Sequence, residues 1–294
     1  MFQGSSRYAP WLFAGPAVLA VVVFVYLPML LTLGFSFSQW NVLRGEISWT
    51  GLSNFEAVLD SVDFRTAALN TVIYVGVLVP LKLVIPLALA LALLRLRDGI
   101  AVRTFRAAYF LPTIVSFSIA GVVWLWMFNP IVGVLNSLLQ LVGLDPLRWL
   151  NDPDLALWCV IIVAFWKGFG LNLLLYTAAL VNVPRDLMEA ADIDGASTWY
   201  KIRAIQLPLI SPTLFFTAIT TILIVMDELV GVVDVLTEGG PFNSSSNLVY
   251  FLYERAFRQF QFGEASAVSI IITVLVAVVT LLQFRVFEKY VHYH

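Results

Sequence analysis

The stretch Asn70–Leu94 reads NTVIYVGVLVPLKLVIPLALALALL and carries one charge, Lys82, in 25 residues. A helix needs roughly 20 apolar residues to cross a hydrocarbon core about 30 Å thick. Lipid offers no water to the backbone, so helix is the state such a run must take. Five other stretches read the same way, at about 11–37, 107–128, 155–181, 207–232 and 266–287. The expected fold is therefore an all-α membrane bundle of six transmembrane helices. Pro16 and Pro28 in the first span, and Pro80 and Pro86 in the second, predict kinks. The run from Trp11 to Leu33 exceeds the usual apolar core of a signal peptide, and no small-residue cleavage site follows it. It is read as the first membrane helix.

Composition agrees with a lipid solvent. Of 294 residues, 60% are hydrophobic and 12% charged, against about 45–50% and 25% in soluble domains. A net charge of −2 gives no basic footprint for nucleic acid. The lone cysteine, Cys159, lies in an apolar run and reads as a small hydrophobe. No repeat at solenoid spacing is present.

The connecting loops differ in charge. Arg7, Arg95, Arg97, Arg103, Arg106, Arg185, Lys201, Arg203, Arg285 and Lys289 fall on one side, ten in all. Arg44, Arg65, Arg148, Arg255 and Arg258, five in all, fall on the other. The positive-inside rule expects the ten-residue side, with both termini, in the cytoplasm. Residues 1–10 then form a cytoplasmic N-terminus and 11–294 the transmembrane domain of a multi-pass protein of the cell (inner) membrane. Arg97 and Ser197 are expected inside, and Glu46, Asp152 and Asn243 outside, within outer loops at about 38–69, 129–154 and 233–265.

The loop 182–208, NVPRDLMEAADIDGASTWYKIRAIQLP, differs from the others. Pro184 suits a helix start, with Asp186 and Glu189 in the early turns. Leu187, Ala190 and Ala191 form an apolar stripe. Asp194-Gly195 reads as a turn, because glycine tolerates positive φ. Ser197 can cap a second short helix from Thr198 to about Ile205, and Pro208 restarts the chain at the mouth of the fifth span. Two short helices joined at a glycine make an exposed knob that a partner's cleft can receive.

Glu189-Ala190-Ala191, then Gly195, then Ile205, Leu207 and Pro208 resemble the cytoplasmic motif shared by permease subunits of binding-protein-dependent ABC importers. The likeness runs along most of the chain and is strongest to the carbohydrate-uptake permeases. Gly51–Phe55 (GLSNF), Phe105–Pro112 (FRAAYFLP), Trp124–Pro130 (WLWMFNP) and Gly239-Gly240-Pro241 followed by a Ser/Asn run carry it. The ending Gln283–Glu288 (QFRVFE) looks most like permeases for glycerol-3-phosphate. The resemblance implies a type I importer bundle with cytoplasmic coupling helices. It also implies a second permease subunit, two ATPase subunits holding ATP and Mg, and an extracytoplasmic solute-binding protein. By the same resemblance, Glu189, Ala190, Ala191, Asp194, Gly195, Ile205, Leu207 and Pro208 dock on the ATPase. The implied solute is a carbohydrate or a glycerol phosphate, with glycerol-3-phosphate or a glycerophosphodiester favoured.

Lys82 and Lys167 each lie about twelve residues into a span, about 18 Å deep at 1.5 Å per residue. A charge there costs at least ~2.5–3.5 kcal/mol unless compensated, so each faces the bundle interior or water. Asp227 and Glu228 lie about twenty residues into the fifth span. On that count no acid shares the lysines' depth, and Asp227 stands about 14 Å further out. Two roles fit: a polar route for solute that includes Asn172 and Trp124, or structural ion pairs. An ion-coupled secondary transporter is the alternative function, but the inverted repeats it would carry are not seen. No G-x-x-x-x-G-K-[ST] loop is present, so the chain is not expected to hydrolyse ATP itself, and the resemblance implies a separate ATPase subunit. His292 and His294 read as solvated tail residues, and no catalytic or metal-binding set is evident.

Overall fold

The computed structural model describes residues 9–41, 45–94, 96 and 99–287. Arg7, Arg44, Arg95, Arg97, Lys289, His292 and His294 lie outside these. The chain forms two compact units. One comprises residues 1–61 with 252–274, and the other 62–251 with 275–294.

In the first unit, α1 (Ala9–Val21), a five-residue π-helical turn and α2 (Leu27–Ser36) form one apolar rod. Within Phe13–Ser36 the most apolar 18-residue window has no buried residue and a mean hydropathy of 2.5, and Ser36 at its end is buried. An antiparallel hairpin follows, with β1 (Ser38–Asn41) paired to β2 (Glu46–Trp49) in the register Ser38↔Trp49 to Asn41↔Glu46. The short helix α3 (Ser53–Asp60) is anchored by Asn54, whose Nδ2 donates to the carbonyls of Ser36 and Ser38 at 3.0 Å each. Phe37 stacks on Trp49 and tilts against Phe55, with centroids 5.6 and 5.5 Å apart.

The second unit is built round α8 (Pro153–Val181), the most buried of the long helices. It packs against α4 (Val62–Leu93), α5 (Ile100–Ile114) and α12 (Ser211–Leu236), and α12 also contacts α4 and α6 (Phe117–Met127). Small residues set the spacing, as expected where packing rather than hydrophobicity drives association in lipid. A Cβ at Gly170 would strike the Tyr109 carbonyl, so α5 crosses α8 nearly backbone to backbone. The last long helix, α14 (Phe262–Phe287), shares its residues between the units.

Among the described residues, four helices are long and apolar enough to span a membrane, and two bent pairs raise the number to six if each pair is one span. The third expected span, 107–128, is one of these pairs. The chain breaks at Val115-Ser116 between α5 and α6, with a bend of 110°. Val115 is extended, and the Ser116 hydroxyl caps α6 by accepting from Ile119 N at 3.3 Å. The fifth span also starts later than expected. Pro208 falls in the helical run Thr198–Leu209, Ile210 turns the chain by 70°, and α12 begins at Ser211 with Pro212 in its first turn.

The end of α12 is tied to the start of α4. Asn70 Nδ2 donates to the carbonyls of Asn243, Ser244 and Ser246 at 3.0–3.2 Å. Tyr74 OH donates to Ser245 O at 2.8 Å, and Thr71 Oγ1 accepts from Leu248 N at 2.9 Å. Asn243 Nδ2 donates to Asp63 at 2.8 Å. Leucine at position 70 keeps the volume but removes the donor that three carbonyls share. Asn70→Leu is expected to cost about 1–3 kcal/mol, lowering the Tm in detergent and speeding proteolysis within 237–247. Unchanged cutting would show that this side chain does not hold the loop.

Candidate functional site

Three of the intramembrane charges, Lys82, Lys167 and Glu228, lie in the second unit where α4, α8 and α12 pack together. Lys82 on α4 is 1% exposed, and its Nζ pairs with Glu228 Oε2 on α12. Gly168 on α8 makes room for this pair. A Cβ there would overlap Lys82 Nζ and stand 2.7 Å from Glu228 Oε2. The expectation that no acid reaches the lysines' depth is therefore corrected. The count took the fifth span from 207, and starting it at Ser211 moves Glu228 about 6 Å toward them. The four-carbon stem of lysine covers the rest.

Asn172, buried on α8, secures the same place. Its Nδ2 donates to the Lys82 carbonyl at 2.8 Å and to Thr221 Oγ1 at 3.0 Å. One turn along, Tyr176 OH and Thr217 Oγ1 share a hydrogen bond of 2.8 Å. The sequence contained this signal: Asn172 and Tyr176 on one helix, and Thr217 and Thr221 on the other, are each four residues apart.

Lys167 follows a different course. Its Nζ lies over the Phe117 ring, 4.1 Å from the centroid, a cation–π contact worth about 2 kcal/mol when desolvated. Its backbone carbonyl accepts from Thr113 Oγ1 at 3.2 Å. Asp227, one residue before Glu228 and so about 100° round the helix, is exposed. Trp124 sits in an aromatic cluster, edge-on to Trp166 at 5.6 Å and tilted on Phe128 at 5.2 Å. The structure thus brings Lys82, Asn172 and Glu228 together with Lys167 nearby, and places Asp227 and Trp124 elsewhere.

The loop 182–208 contains α9 (Arg185–Ile193) and α10 (Thr198–Lys201), the latter running through a π-helical turn into α11 (Leu207–Leu209). Gly195, at φ 71°, ends α9. Its N–H donates to Asp192 O at 3.1 Å and that of Ala196 to Ala191 O at 2.9 Å, which is the Schellman arrangement. The Ser197 hydroxyl caps α10 by accepting from Tyr200 N at 3.3 Å, and Lys201 pairs with Asp192 across the turn. One face of the element packs inward. Met188, Ile205 and Leu207 rest on Ala90, Leu93, Leu180, Val183 and Ile210. Glu189 and Ala190 are exposed, as are Ile193, Trp199 and Tyr200. Between α9 and the second helical run lies a hollow of about 620 Å³ lined by Leu187, Ala190, Asp194, Tyr200 and Ile205. The loop therefore presents a groove as well as a knob.

A polytopic helical bundle with a glycine-jointed helix pair docked on one end is the architecture of a transport permease. The chain belongs to the family of binding-protein-dependent transport system inner membrane components, whose profile matches residues 67–292. It is 32% identical to the sn-glycerol-3-phosphate transport system permease protein UgpA of Agrobacterium fabrum, over 98% of this chain and 97% of that one. It is 31% identical to the arabinooligosaccharides transport system permease protein AraP of Bacillus subtilis, over 96% and 89%. It shares its fold with a chain of a bacterial ABC transporter that imports the acidic polysaccharide alginate, with a TM-score of 0.79, 22% identity and 95% and 96% coverage. It is a multi-pass membrane protein and the permease of an ABC importer, a transport subunit rather than an enzyme.

Removing one partner of a buried ion pair leaves an uncompensated charge, at a cost of about 3–5 kcal/mol. Lys82→Met and Glu228→Gln are each expected to lower the Tm in detergent markedly. The double variant should recover much of the loss, because neither charge is stranded. A double variant as unstable as the sum of the singles would show that the two side chains do not act as a pair.

Proposed function

We propose that this permease pairs with a second permease subunit and two ATPase subunits. It passes a carbohydrate or glycerol-phosphate-type solute, delivered by an extracytoplasmic binding protein, across the inner membrane. The observation that carries this reading is the element 182–208. Its apolar inner face rests on α4, α8 and the bend at Ile210, while its outer face and hollow are free for a partner. Glu189, exposed beside Ala190, makes a charge-assisted contact with a basic ATPase residue. ATP and Mg act in the partner subunits. Closure of the ATPase pair displaces the element, and the bundle follows by alternating access. The ten-to-five basic asymmetry puts this element and both termini in the cytoplasm.

For the solute, glycerol-3-phosphate or a glycerophosphodiester is favoured. The relatives' names span glycerol-3-phosphate and arabinooligosaccharides. The charge cluster supports the phosphate-bearing solute: Lys82 takes the carboxylate of Glu228, and the second ammonium group, Lys167, lies over the Phe117 ring. A passing anion supplies the second negative charge to Lys167, which gives up its place on Phe117.

A valine at Gly195 would have to adopt a left-handed backbone, at roughly 1–2 kcal/mol, which would loosen the joint. In proteoliposomes, Gly195→Val is expected to cut uptake at least tenfold while the complex assembles and hydrolyses ATP. Unaltered uptake would sink the coupling role. Lys167→Met should reduce glycerol-3-phosphate uptake steeply with assembly intact. Normal uptake would make that lysine structural. Single cysteines at positions 46, 152 and 243 in a Cys159→Ser background should label from outside, and one at 197 from inside. Labelling of position 152 from the inside alone would reverse the topology.

A further inference from the structure

The first unit holds a cleft of about 760 Å³ between the β1–β2 hairpin and the segment that opens α14, within the ~300–1,000 Å³ typical of ligand sites. No role proposed above uses it. Trp40 and Phe262 form one wall, their centroids 5.1 Å apart, and Phe35 stacks on Trp40 at 5.6 Å so that the indole is held. Phe260 stands at the edge, 60% exposed, with its backbone at φ 57°. A left-handed bulky residue is an outlier that its surroundings must impose. Here the flanking N–H groups do so, Gln259 N donating to Glu254 O at 3.0 Å and Gln261 N to Arg255 O at 2.8 Å.

The polar groups are oriented too. Arg255 Nη1 donates to Gln259 Oε1 at 2.9 Å and to Gln261 Oε1 at 2.8 Å. Each amide oxygen is thereby engaged, and each amide NH2 remains as a donor where the two glutamines line the cleft. Glu46 and Glu264 supply acceptors from opposite walls. Arg255 stands 3.5 Å from Glu264 and offsets its charge, whereas Glu46 lies on the exposed hairpin. Fixed amide donors and carboxylate acceptors beside one exposed ring, Phe260, and two half-buried ones, Trp40 and Phe262, suit hydroxyl groups, each of which both gives and accepts a hydrogen bond, and the apolar C–H faces that carry them. Among the described lining residues the charged side chains are Glu46 and Glu264, both acidic, which disfavours a phosphate.

We infer that this cleft is a binding site for a neutral oligosaccharide, separate from the Lys82–Glu228–Lys167 cluster and of opposite charge preference. The site does not depend on the transport reading. It lies among loops that the basic asymmetry puts outside, where a sugar could come from a free oligosaccharide or from a glycolipid headgroup. The test uses the purified full chain in nanodiscs of phosphatidylcholine and phosphatidylglycerol. Maltotriose and arabinotriose are titrated by calorimetry, with saturation-transfer NMR to see which protons touch the protein. A second set of nanodiscs carries diglucosyl-diacylglycerol.

At least one of the three sugars should bind, and glycerol-3-phosphate should not compete. Competition between the lipid-borne sugar and a soluble one identifies the source. Phe260→Asn keeps a residue that tolerates the left-handed backbone and removes the ring, and Gln261→Ala removes one donor. Each should weaken binding at least fivefold with an unchanged Tm. Glu46→Ala, on the exposed hairpin, should weaken it similarly without touching the aromatic wall. Failure of all three sugars to bind, equal binding by the variants, or tighter binding of glycerol-3-phosphate would each overturn the assignment. So would a co-purified polypeptide that occupies the cleft and is released by Phe260→Asn.

Discussion

An ammonium group sealed in a membrane bundle has few acceptable surroundings, and those around Lys82 organise the centre of this permease. Its carboxylate partner comes from α12 and its carbonyl is held by Asn172 of α8, so one residue of α4 engages both neighbouring helices. The absence of a side chain at Gly168 lets the ion pair lie against the α8 backbone. Desolvating two charges is expensive even when they meet. The pair therefore specifies which helices touch, and in what register, more than it adds to stability. The Asn172–Thr221 and Tyr176–Thr217 bonds extend the same register down the seam.

Much of the architecture was legible because lipid imposes so strict a rule. A long apolar run with few charges must be helix, and Val62–Leu93, Pro153–Val181 and Phe262–Phe287 obey it. The joint at Gly195 was legible too, since Asp-Gly after an amphipathic stripe needs only local geometry. What escaped was tertiary. The break at Ser116 depends on a serine cap inside an apolar run, where hydropathy averages over the interruption. The Lys82–Glu228 contact escaped because depth counted from span ends inherits every error in those ends and ignores side-chain reach. The triple carbonyl contact of Asn70 joins residues more than 170 positions apart, and nothing local in the sequence marks it.

The sequence motif and the packing of 182–208 describe one object from two sides. Glu189 and Ala190 occupy the exposed face. Met188, beside them on α9, and Ile205 and Leu207, on the second helical run, reach the cluster that includes Ala90, Leu180 and Ile210. Helical periodicity makes this two-faced arrangement possible in so short a segment. The Lys201–Asp192 pair is partly exposed and adds little alone, whereas the two backbone bonds of the Schellman turn set the angle between the arms.

Two rods pinned at one height can scissor, but pinned at two heights they form a truss. Helices α4 and α12 are joined in mid-span by Lys82 and Glu228, and again at one end where Asn70, Thr71 and Tyr74 grip the chain that leaves α12. Sliding one past the other would break a buried charge pair and several buried hydrogen bonds together. The compliant place is the other end of α12, where Ile210 separates it from the helical run Thr198–Leu209 at 70°. A push on that run is therefore transmitted as tilt of a braced pair about its foot, not as shear between its members.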